Sequence, residues 1–142
     1  MGTRIENLQV TKIADGDTIS VSLEGKTESL RLACVDTEEK PGSPKRPHTK
    51  AGVMASAMAK EYFSASNTLV KVDIEFETDD PVDVCLVKHR DNHGRLLCYV
   101  HKGGENYNLK LVREGWSPYF TKYGRSRLYH QVFTEAEAQA QA

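Results

Sequence analysis

The chain has 142 residues, a formal net charge of −1, 39% hydrophobic residues and 27% charged residues, which is typical of one globular domain. No apolar run approaches the roughly 18 residues of a membrane-spanning helix, so the composition excludes that class and predicts no membrane partner. The small net charge argues against nucleic-acid binding by bulk electrostatics, which leaves local basic segments as the sites to consider.

The first third of the chain predicts three β-strands. Segments rich in Val, Ile, Thr and Leu cover residues 8–14, 18–23 and 27–35. Asp15-Gly16 marks the first turn between them, and Glu24-Gly25-Lys26 marks the second. A polar loop with three prolines follows from residue 36 to about residue 49.

The next segments predict one helix and three further strands. Thr49 is placed to cap a helix that runs to about Ser66. Its predicted apolar face consists of Val53, Met54, Ala57, Met58 and Phe63. Regular alternation predicts a strand over residues 70–76. Two more strands are predicted on either side of a polar turn, as a hairpin of residues 84–88 and 96–100.

Two helices are predicted near the end of the chain. A short helix begins at about Asn108 and should stop at Gly115, because glycine favours a helix C-terminus. A last helix begins at about Ser126.

Five to six strands with helices between and after them indicate an α+β fold that is mainly a small closed β barrel. A five-stranded Greek-key OB-fold barrel with three helices packed outside is the leading prediction. The pattern alone does not separate it from another α+β fold.

The cysteines and the N-terminus indicate the compartment. Cys34, Cys85 and Cys98 are odd in number and show no CxxC spacing, which predicts buried reduced thiols. The first six residues lack the apolar core of a signal peptide. We therefore expect a cytoplasmic location for the chain as written, or secretion if a leader was removed.

Two aspartates are predicted to meet at one end of the first hairpin. Asp17 opens the second predicted strand, and Asp36 lies just past the third. In a hairpin that turns at Gly25, both positions fall at the same open end, with Asp15 and Glu39 close by. Crowded carboxylates favour a bound cation, and oxygen ligands suit calcium. The alternative is that Asp15 is only a turn residue and Asp36 only a loop cap.

Two arginines stand where apolar residues are expected. Arg31 interrupts the apolar run of residues 30–35, and a buried guanidinium needs carboxylate or phosphate oxygens as partners. Arg95 stands at the entry of the predicted strand 96–100. Taken by itself, Arg95 has an ordinary alternative as a surface residue after a turn.

Three motifs in order carry a resemblance to a known family. They are Asp15-Gly16-Asp17-Thr18, then Arg31 with Val35-Asp36-Thr37-Glu38-Glu39, then Gly94-Arg95 before a strand. This set closely resembles the staphylococcal nuclease (thermonuclease) family, over nearly the whole chain. The resemblance implies a single domain over residues 1–142 with a core from about 8 to 138, an OB-fold barrel, a calcium cofactor (Ca²⁺), and cleavage of DNA and RNA.

The resemblance also implies a role for each matching residue. Arg31, Glu39 and Arg95 resemble the catalytic trio. Asp17 and Asp36 resemble the carboxylate ligands of calcium, Thr37 the carbonyl ligand, and Asp15 an acid that reaches the ion through water. Tyr123 resembles a tyrosine beside the bound nucleotide. The basic segment of residues 40–50 predicts phosphate contacts through Lys45 and Lys50.

This sequence departs from the family pattern at three places. Glu38 stands where the family has proline, and the segment 78–90 is longer. Thr121 replaces a second tyrosine, for which Tyr119 and Phe120 are candidate substitutes. These differences bear on substrate preference and rate more than on the type of reaction.

We therefore predict a calcium-dependent nuclease, a phosphodiesterase of the endonuclease type, that acts as a monomer on single- or double-stranded DNA or on RNA. One alternative is a non-catalytic OB-fold module that binds nucleic acid or protein. The presence of the whole catalytic trio favours the enzyme. A second alternative is a transition-metal site among the side chains around the predicted hairpin, which are His89, Asp91, His93 and His101.

Overall fold

The computed structural model describes residues 2–37, 50–122 and 124–141. The strands within these residues are β1 (Arg4–Asp15), β2 (Thr18–Leu23), β3 (Lys26–Leu32), β4 (Ser64–Ala65), β5 (Thr68–Leu69), β6 (Lys71–Glu75), β7 (Leu96–Lys102) and β8 (Glu105–Asn106). The helices are α1 (Lys50–Tyr62), α2 (Val82–Lys88), α3 (Tyr107–Arg113) and α4 (His130–Gln141).

Five strands close into a barrel. The order is β3-β2-β1-β6-β7, and a parallel pairing of β3 with β7 joins the two ends. Strand β1 has 12 residues and pairs with both β2 and β6, with register shifts that let it bend around the barrel. The predicted OB-fold barrel in an α+β fold is confirmed.

The barrel interior follows from the alternation of apolar side chains along each strand. Ile19 and Val21 on β2 and Leu30 on β3 are buried, as is Leu96 on β7. Residues between them point outwards, which is the two-residue period of a strand with one buried face. Charged side chains on β3 therefore lie on the outer surface of the barrel or at its ends.

The three cysteines are free thiols. Cys85 and Cys98 are fully buried, whereas Cys34 is half-buried. Burial raises the pKa of Cys34 to about 12, which keeps it as an unreactive thiol at neutral pH.

The prediction of a strand over residues 84–88 is wrong, because this segment lies in helix α2. Pro81 is at the N-cap, where its missing N–H leaves no donor unsatisfied. Asp83 in the first turn and Lys88 in the last turn both suit the helix dipole. An apolar run of four residues is too short for its period to distinguish a strand from a helix. The described residues thus contain four helices, one more than predicted.

The predicted apolar face of helix α1 is wrong in its first part, although Met58 packs against the core and Phe63, just after the helix, is buried in it. Val53 and Met54 are 43% and 51% exposed. The buried side consists of small residues, which are Gly52, Ala55, Ser56 and Ala59. Small side chains let the helix approach the barrel closely, so its backbone lies near the turn between β1 and β2. Thr49, the predicted N-cap, lies outside the described residues.

The two C-terminal helices agree with the sequence except at their first residues. Asn106 caps α3 by accepting a hydrogen bond from the N–H of Leu109 at 3.2 Å. Gly115 follows the helix with a φ of +80°, as expected of a C-terminal glycine. Helix α4 begins at His130, four residues after the predicted start, and packs against α3. No helix among the described residues combines the length and apolar character needed to cross a bilayer.

Candidate active site

Asp17 lies at the start of β2 with a side chain that is only 10% exposed. Its carboxylate accepts a hydrogen bond from the N–H of Thr37 at 3.0 Å and another from the Thr18 hydroxyl at 3.1 Å. The contact with Thr37 spans 20 residues of sequence. It holds the segment that follows β3 against the start of β2.

Arg31 lies between two carboxylates. Thr18 and Arg31 are partners in the β2–β3 pairing, so the arginine is next to the start of β2. Its guanidinium lies 3.4 Å from the Asp17 carboxylate and 3.5 Å from that of Asp36. The prediction that Asp17 and Asp36 meet at one end of the hairpin is confirmed. Of the two kinds of partner predicted for Arg31, carboxylate and phosphate oxygens, the structure shows carboxylates.

The electrostatics of Asp17 show the cost of this arrangement. Burial raises the pKa of its carboxyl group above the ordinary value, although Arg31 and the Thr37 N–H act in the opposite direction. The nearby Asp36 carboxylate raises the pKa further. Arg31 and the Thr37 N–H therefore do not offset the burial of Asp17, and a further positive charge would stabilise its ionised form.

Helix α3 and the segment after it fix the polypeptide that carries Asp36. The buried Asn108 donates to the carbonyls of Ala33 at 2.9 Å and Cys98 at 3.2 Å, and accepts from the N–H of Val100 at 3.0 Å. Further along the segment, the N–H of Asp36 itself donates to the Ser117 hydroxyl at 2.7 Å. Sequence reasoning missed Asn108 and Ser117, because neither lies near the aspartates along the chain.

The turn at Gly16 is fixed by close packing. The hydroxyl of Tyr107, which is fully buried, donates to the Gly16 carbonyl at 2.7 Å. A Cβ atom at Gly16 would lie 3.0 Å from the Thr37 hydroxyl oxygen and 3.2 Å from the Ala55 Cβ. A side chain here would require Thr37 or Ala55 to shift by a few tenths of an ångström, so the turn packs closely against both residues.

The ligand chemistry of this cluster fits a hard cation. Asp17 and Asp36 offer carboxylate oxygens and Thr37 offers a backbone carbonyl, and calcium prefers oxygen ligands of these kinds. Within the described residues, the buried Oγ1 of Thr37 has no hydrogen-bond partner. The same residues contain no group of three or more His, Cys, Asp or Glu side chains suited to a metal. Calcium also accepts carbonyl groups and water as ligands.

Arg95 immediately precedes β7, the strand that pairs with the strand of Arg31. In the parallel β3–β7 pairing, Arg31 is opposite Leu97, and Arg95 is two residues before Leu97. The two-residue period of a strand places Arg95 and Leu97 on one side. The Arg95 Nε donates to the Asp91 carboxylate at 2.7 Å, and its N–H donates to the same group at 2.9 Å.

Comparisons with known proteins identify the family of this chain. The sequence model of the family described as staphylococcal nuclease homologue matches residues 29–142. The chain belongs to this family.

Relatives named as nucleases cover most of the chain. A thermonuclease of Staphylococcus hyicus is 34% identical over 96% of this chain and 72% of its own length. A thermonuclease of Staphylococcus intermedius is 36% identical over 79% of this chain and 58% of its own length. Endonuclease YncB of Bacillus subtilis is 31% identical over 98% of this chain and 60% of its own length. The chain thus spans about three fifths of the last two relatives, and the prediction of an enzyme of the nuclease class is confirmed.

Several predicted residues of the staphylococcal nuclease pattern lie outside the described residues, namely Glu38, Glu39, Lys45 and Tyr123. Lys50 is the first residue of α1 and is exposed. Asp15 ends β1 opposite Thr18 and is half-buried. The roles assigned to all of these residues stay predictions.

The alternative of a transition-metal site around residues 89–101 is wrong for the residues that the structure describes, which include all four side chains. His89 lies 3.5 Å from the Asp80 carboxylate. His101 is hydrogen-bonded to the buried Glu75 at 2.8 Å, and Asp91 binds Arg95. Because a helix precedes the turn in place of the predicted strand, these side chains point to separate partners.

Proposed function

We propose that this chain is a calcium-dependent nuclease that hydrolyses phosphodiester bonds of DNA and RNA as a monomeric single domain. The observation that carries the proposal is the cluster of Arg31 with Asp17 and Asp36, at guanidinium–carboxylate distances of 3.4 and 3.5 Å. Two carboxylates beside one guanidinium carry a net negative charge, which suits a bound cation. The cation and the guanidinium together would then suit an anionic substrate.

Asp17, Asp36 and the carbonyl of Thr37 are the proposed ligands of calcium, with Asp15 interacting through water. A bound calcium ion supplies positive charge that offsets the charge of a phosphodiester and lowers the barrier to attack by water. The support for this role is the raised pKa of Asp17, where burial of the carboxylate leaves its charge incompletely compensated.

Arg31 and Arg95 are the proposed phosphate-binding groups. A guanidinium donates two parallel N–H bonds to phosphate oxygens, and these bonds strengthen as negative charge grows in the transition state. The support for this pairing of roles is that β3, which carries Arg31, pairs with β7, which begins directly after Arg95. One phosphate between the two side chains would be bound from both sides.

Glu39 is the proposed base, which accepts a proton from the attacking water or orients that water. It follows Asp36 by three residues, so the chain connects it directly to the cluster. Lys45 and Lys50 are proposed to bind the phosphate backbone, which makes affinity fall with salt. Tyr123 is proposed to stack on a base, and stacking tolerates many sequences.

Digestion assays test the proposal. Single- and double-stranded DNA and RNA are incubated with the protein in calcium, in magnesium and in chelator, and products are resolved on gels. We expect cleavage in calcium and none in chelator. The matched variants are Asp17→Asn, which should be inactive, and Asp79→Asn at an exposed site, which should match the wild type. Activity that survives chelation would refute the metal role, and binding without cleavage would favour the OB-fold binding module.

A further inference from the structure

Two arginines of the turn between α2 and β7 form ion pairs with carboxylates. Only one of these arginines, Arg95, is a predicted catalytic residue. The first pair is internal to the turn. Asp91 accepts from the N–H groups of His93 and Arg95 with one carboxylate oxygen, both at 2.9 Å, and from the Arg95 Nε with the other at 2.7 Å. This carboxylate therefore fixes the position of both the backbone and the guanidinium of Arg95.

The second pair ties the turn to the barrel. Both terminal nitrogens of Arg90 donate to the Glu28 carboxylate, at 2.9 and 3.0 Å, which is the two-bond geometry of a guanidinium and a carboxylate. Glu28 belongs to β3, the strand that also carries Arg31. The hydrogen bond from Arg90 lowers the pKa of Glu28, so both partners are charged at neutral pH.

Arg90 also bonds to the backbone on each side of the turn. Its Nε donates to the carbonyl of Leu86 in α2 at 2.7 Å, and Nη1 donates to the carbonyl of Gly94 at 2.7 Å. Gly94 is the residue immediately before Arg95. In the parallel β3–β7 pairing, Leu30 is opposite Leu96. Two residues earlier in each segment, the same register puts Glu28 opposite Gly94. One side chain thus joins α2, β3 and the peptide group next to Arg95.

We propose that Glu28 and Arg90 are positioning residues for Arg95 in phosphodiester cleavage, an inference that rests on the role of Arg95 in the proposed function. Neither side chain is proposed to touch substrate. The pair fixes the Gly94 carbonyl relative to the strand of Arg31, and Asp91 then directs the guanidinium from that fixed base. The distance between the two phosphate-binding arginines is therefore set by an ion pair outside the site.

A purely structural role would show mainly in stability, and half-exposed ion pairs contribute little to it. A positioning role shows in turnover instead, because a displaced catalytic group weakens transition-state binding more than substrate binding. The two roles therefore differ in kcat and KM as well as in unfolding.

The experiment measures kcat and KM on one DNA substrate for Glu28→Gln, Arg90→Lys and Asp91→Asn. The control is Glu61→Gln, which removes an exposed carboxylate from α1. We expect kcat to fall by up to about 100-fold in Asp91→Asn and by about tenfold in Glu28→Gln and Arg90→Lys, with KM changed less than about twofold. The control should match the wild type. Equal kcat for wild type and Glu28→Gln would overturn the inference.

Arg95→Lys, alone and combined with Glu28→Gln, separates this inference from the proposed function. If Arg95→Lys keeps wild-type kcat, the role of Arg95 fails, and the proposed function fails in that part. If Arg95→Lys is slow and the double variant is no slower, Glu28 acts through Arg95 as proposed. If the two losses multiply, Glu28 acts independently of Arg95 and the inference is wrong.

A measurement without substrate provides a second readout. The Nε–H of Arg95 should exchange slowly with water in NMR spectra, because Asp91 accepts its hydrogen bond. We expect faster exchange in Glu28→Gln and Arg90→Lys, and no change in Glu61→Gln. Unchanged exchange in both pair variants would show that the pair does not hold Arg95.

Discussion

The two halves of the candidate site are held in different ways. Asp17, Asp36 and Arg31 form a half that lies on the barrel itself, where strand pairing and buried hydrogen bonds from α3 hold them. Arg95 belongs to a half on a turn, where it forms a half-exposed ion pair with Asp91 and where Arg90 forms another with Glu28. The first half depends on residues far apart in sequence, whereas the second combines contacts within five positions with one ion pair, Glu28–Arg90, that spans 62 residues.

This difference predicts where substitutions will be felt. Buried polar groups cost stability when a partner is removed, because a desolvated donor or acceptor stays behind. Removing one partner of an exposed ion pair lowers the free energy of unfolding only slightly, because water replaces that partner. Changes in the barrel half should therefore alter both stability and rate, and changes in the turn half should alter mainly rate.

The largest expected effect is on turnover. Arg31→Lys and Arg95→Lys keep the charge but lose the planar pair of donors, so each should lower kcat by about 10²–10³, or roughly 3–4 kcal/mol. Single-turnover cleavage measures this loss. Arg31 contacts two partly buried carboxylates, so Arg31→Lys should destabilise the protein more than Arg95→Lys. Equal losses of stability in urea unfolding would contradict the difference between the two halves.

A second effect tests the support of the barrel half. Asn108→Ala leaves the Val100 N–H and the Ala33 carbonyl without their partner, so the free energy of unfolding should fall by about 2–3 kcal/mol. Asn92→Ala, at an exposed position in the turn, is the control and should change it by less than about 0.5 kcal/mol. Equal losses from both variants would mean that Asn108 is not a special support.

Calcium should raise the free energy of unfolding through the barrel half and not through the turn half. A ligand that binds only the folded state adds about 2.7 kcal/mol at 100 times its Kd. Thermal unfolding with calcium and with chelator measures this increment in the wild type and in Asp17→Asn, where it should vanish. Asp91→Asn should keep it, because Asp91 belongs to the turn half. A calcium increment that survives in Asp17→Asn would remove that residue from the ligand set.

The smallest expected effect is a difference between Asp91 and Asp17 in how their contributions to stability change at acid pH. Burial by itself raises the pKa of Asp91, but the N–H groups of Arg95 and His93 and the Arg95 guanidinium outweigh it, and the pKa lies below 3.8. The stability that Asp91 contributes is therefore complete above pH 3.8 and is lost as the pH falls through its lower folded-state pKa. Because the pair is half-exposed, this contribution is about 1 kcal/mol or less.

Asp17 should respond in the opposite sense. Burial raises its pKa above 3.8, so its contribution is complete below pH 3.8 and is lost as the pH rises through the folded-state value. Urea unfolding of Asp17→Asn and Asp91→Asn in chelator, between pH 3 and pH 7, compares the two. Parallel pH profiles of the two variants, relative to the wild type, would contradict the distinction.

The sequence by itself determined the barrel strands and the meeting of two carboxylates with Arg31. Strand period and turn residues are local properties, and a hairpin between β2 and β3 fixes which residues lie at its open end. The ordered motifs then indicated the family, which the comparisons bear out. None of these steps required contacts between distant segments.

Only the tertiary structure decided helix α2, the small-residue face of α1, and the supports from Tyr107 and Asn108. The apolar run of residues 84–87 is too short for its period to distinguish a strand from a helix. The helix there depends on the flanking residues and on packing in the folded protein. The pairing of Glu28 with Arg90 spans 62 residues and depends on the parallel closure of β3 with β7. Such contacts arise when the barrel closes, because closure alone brings these side chains within bonding distance.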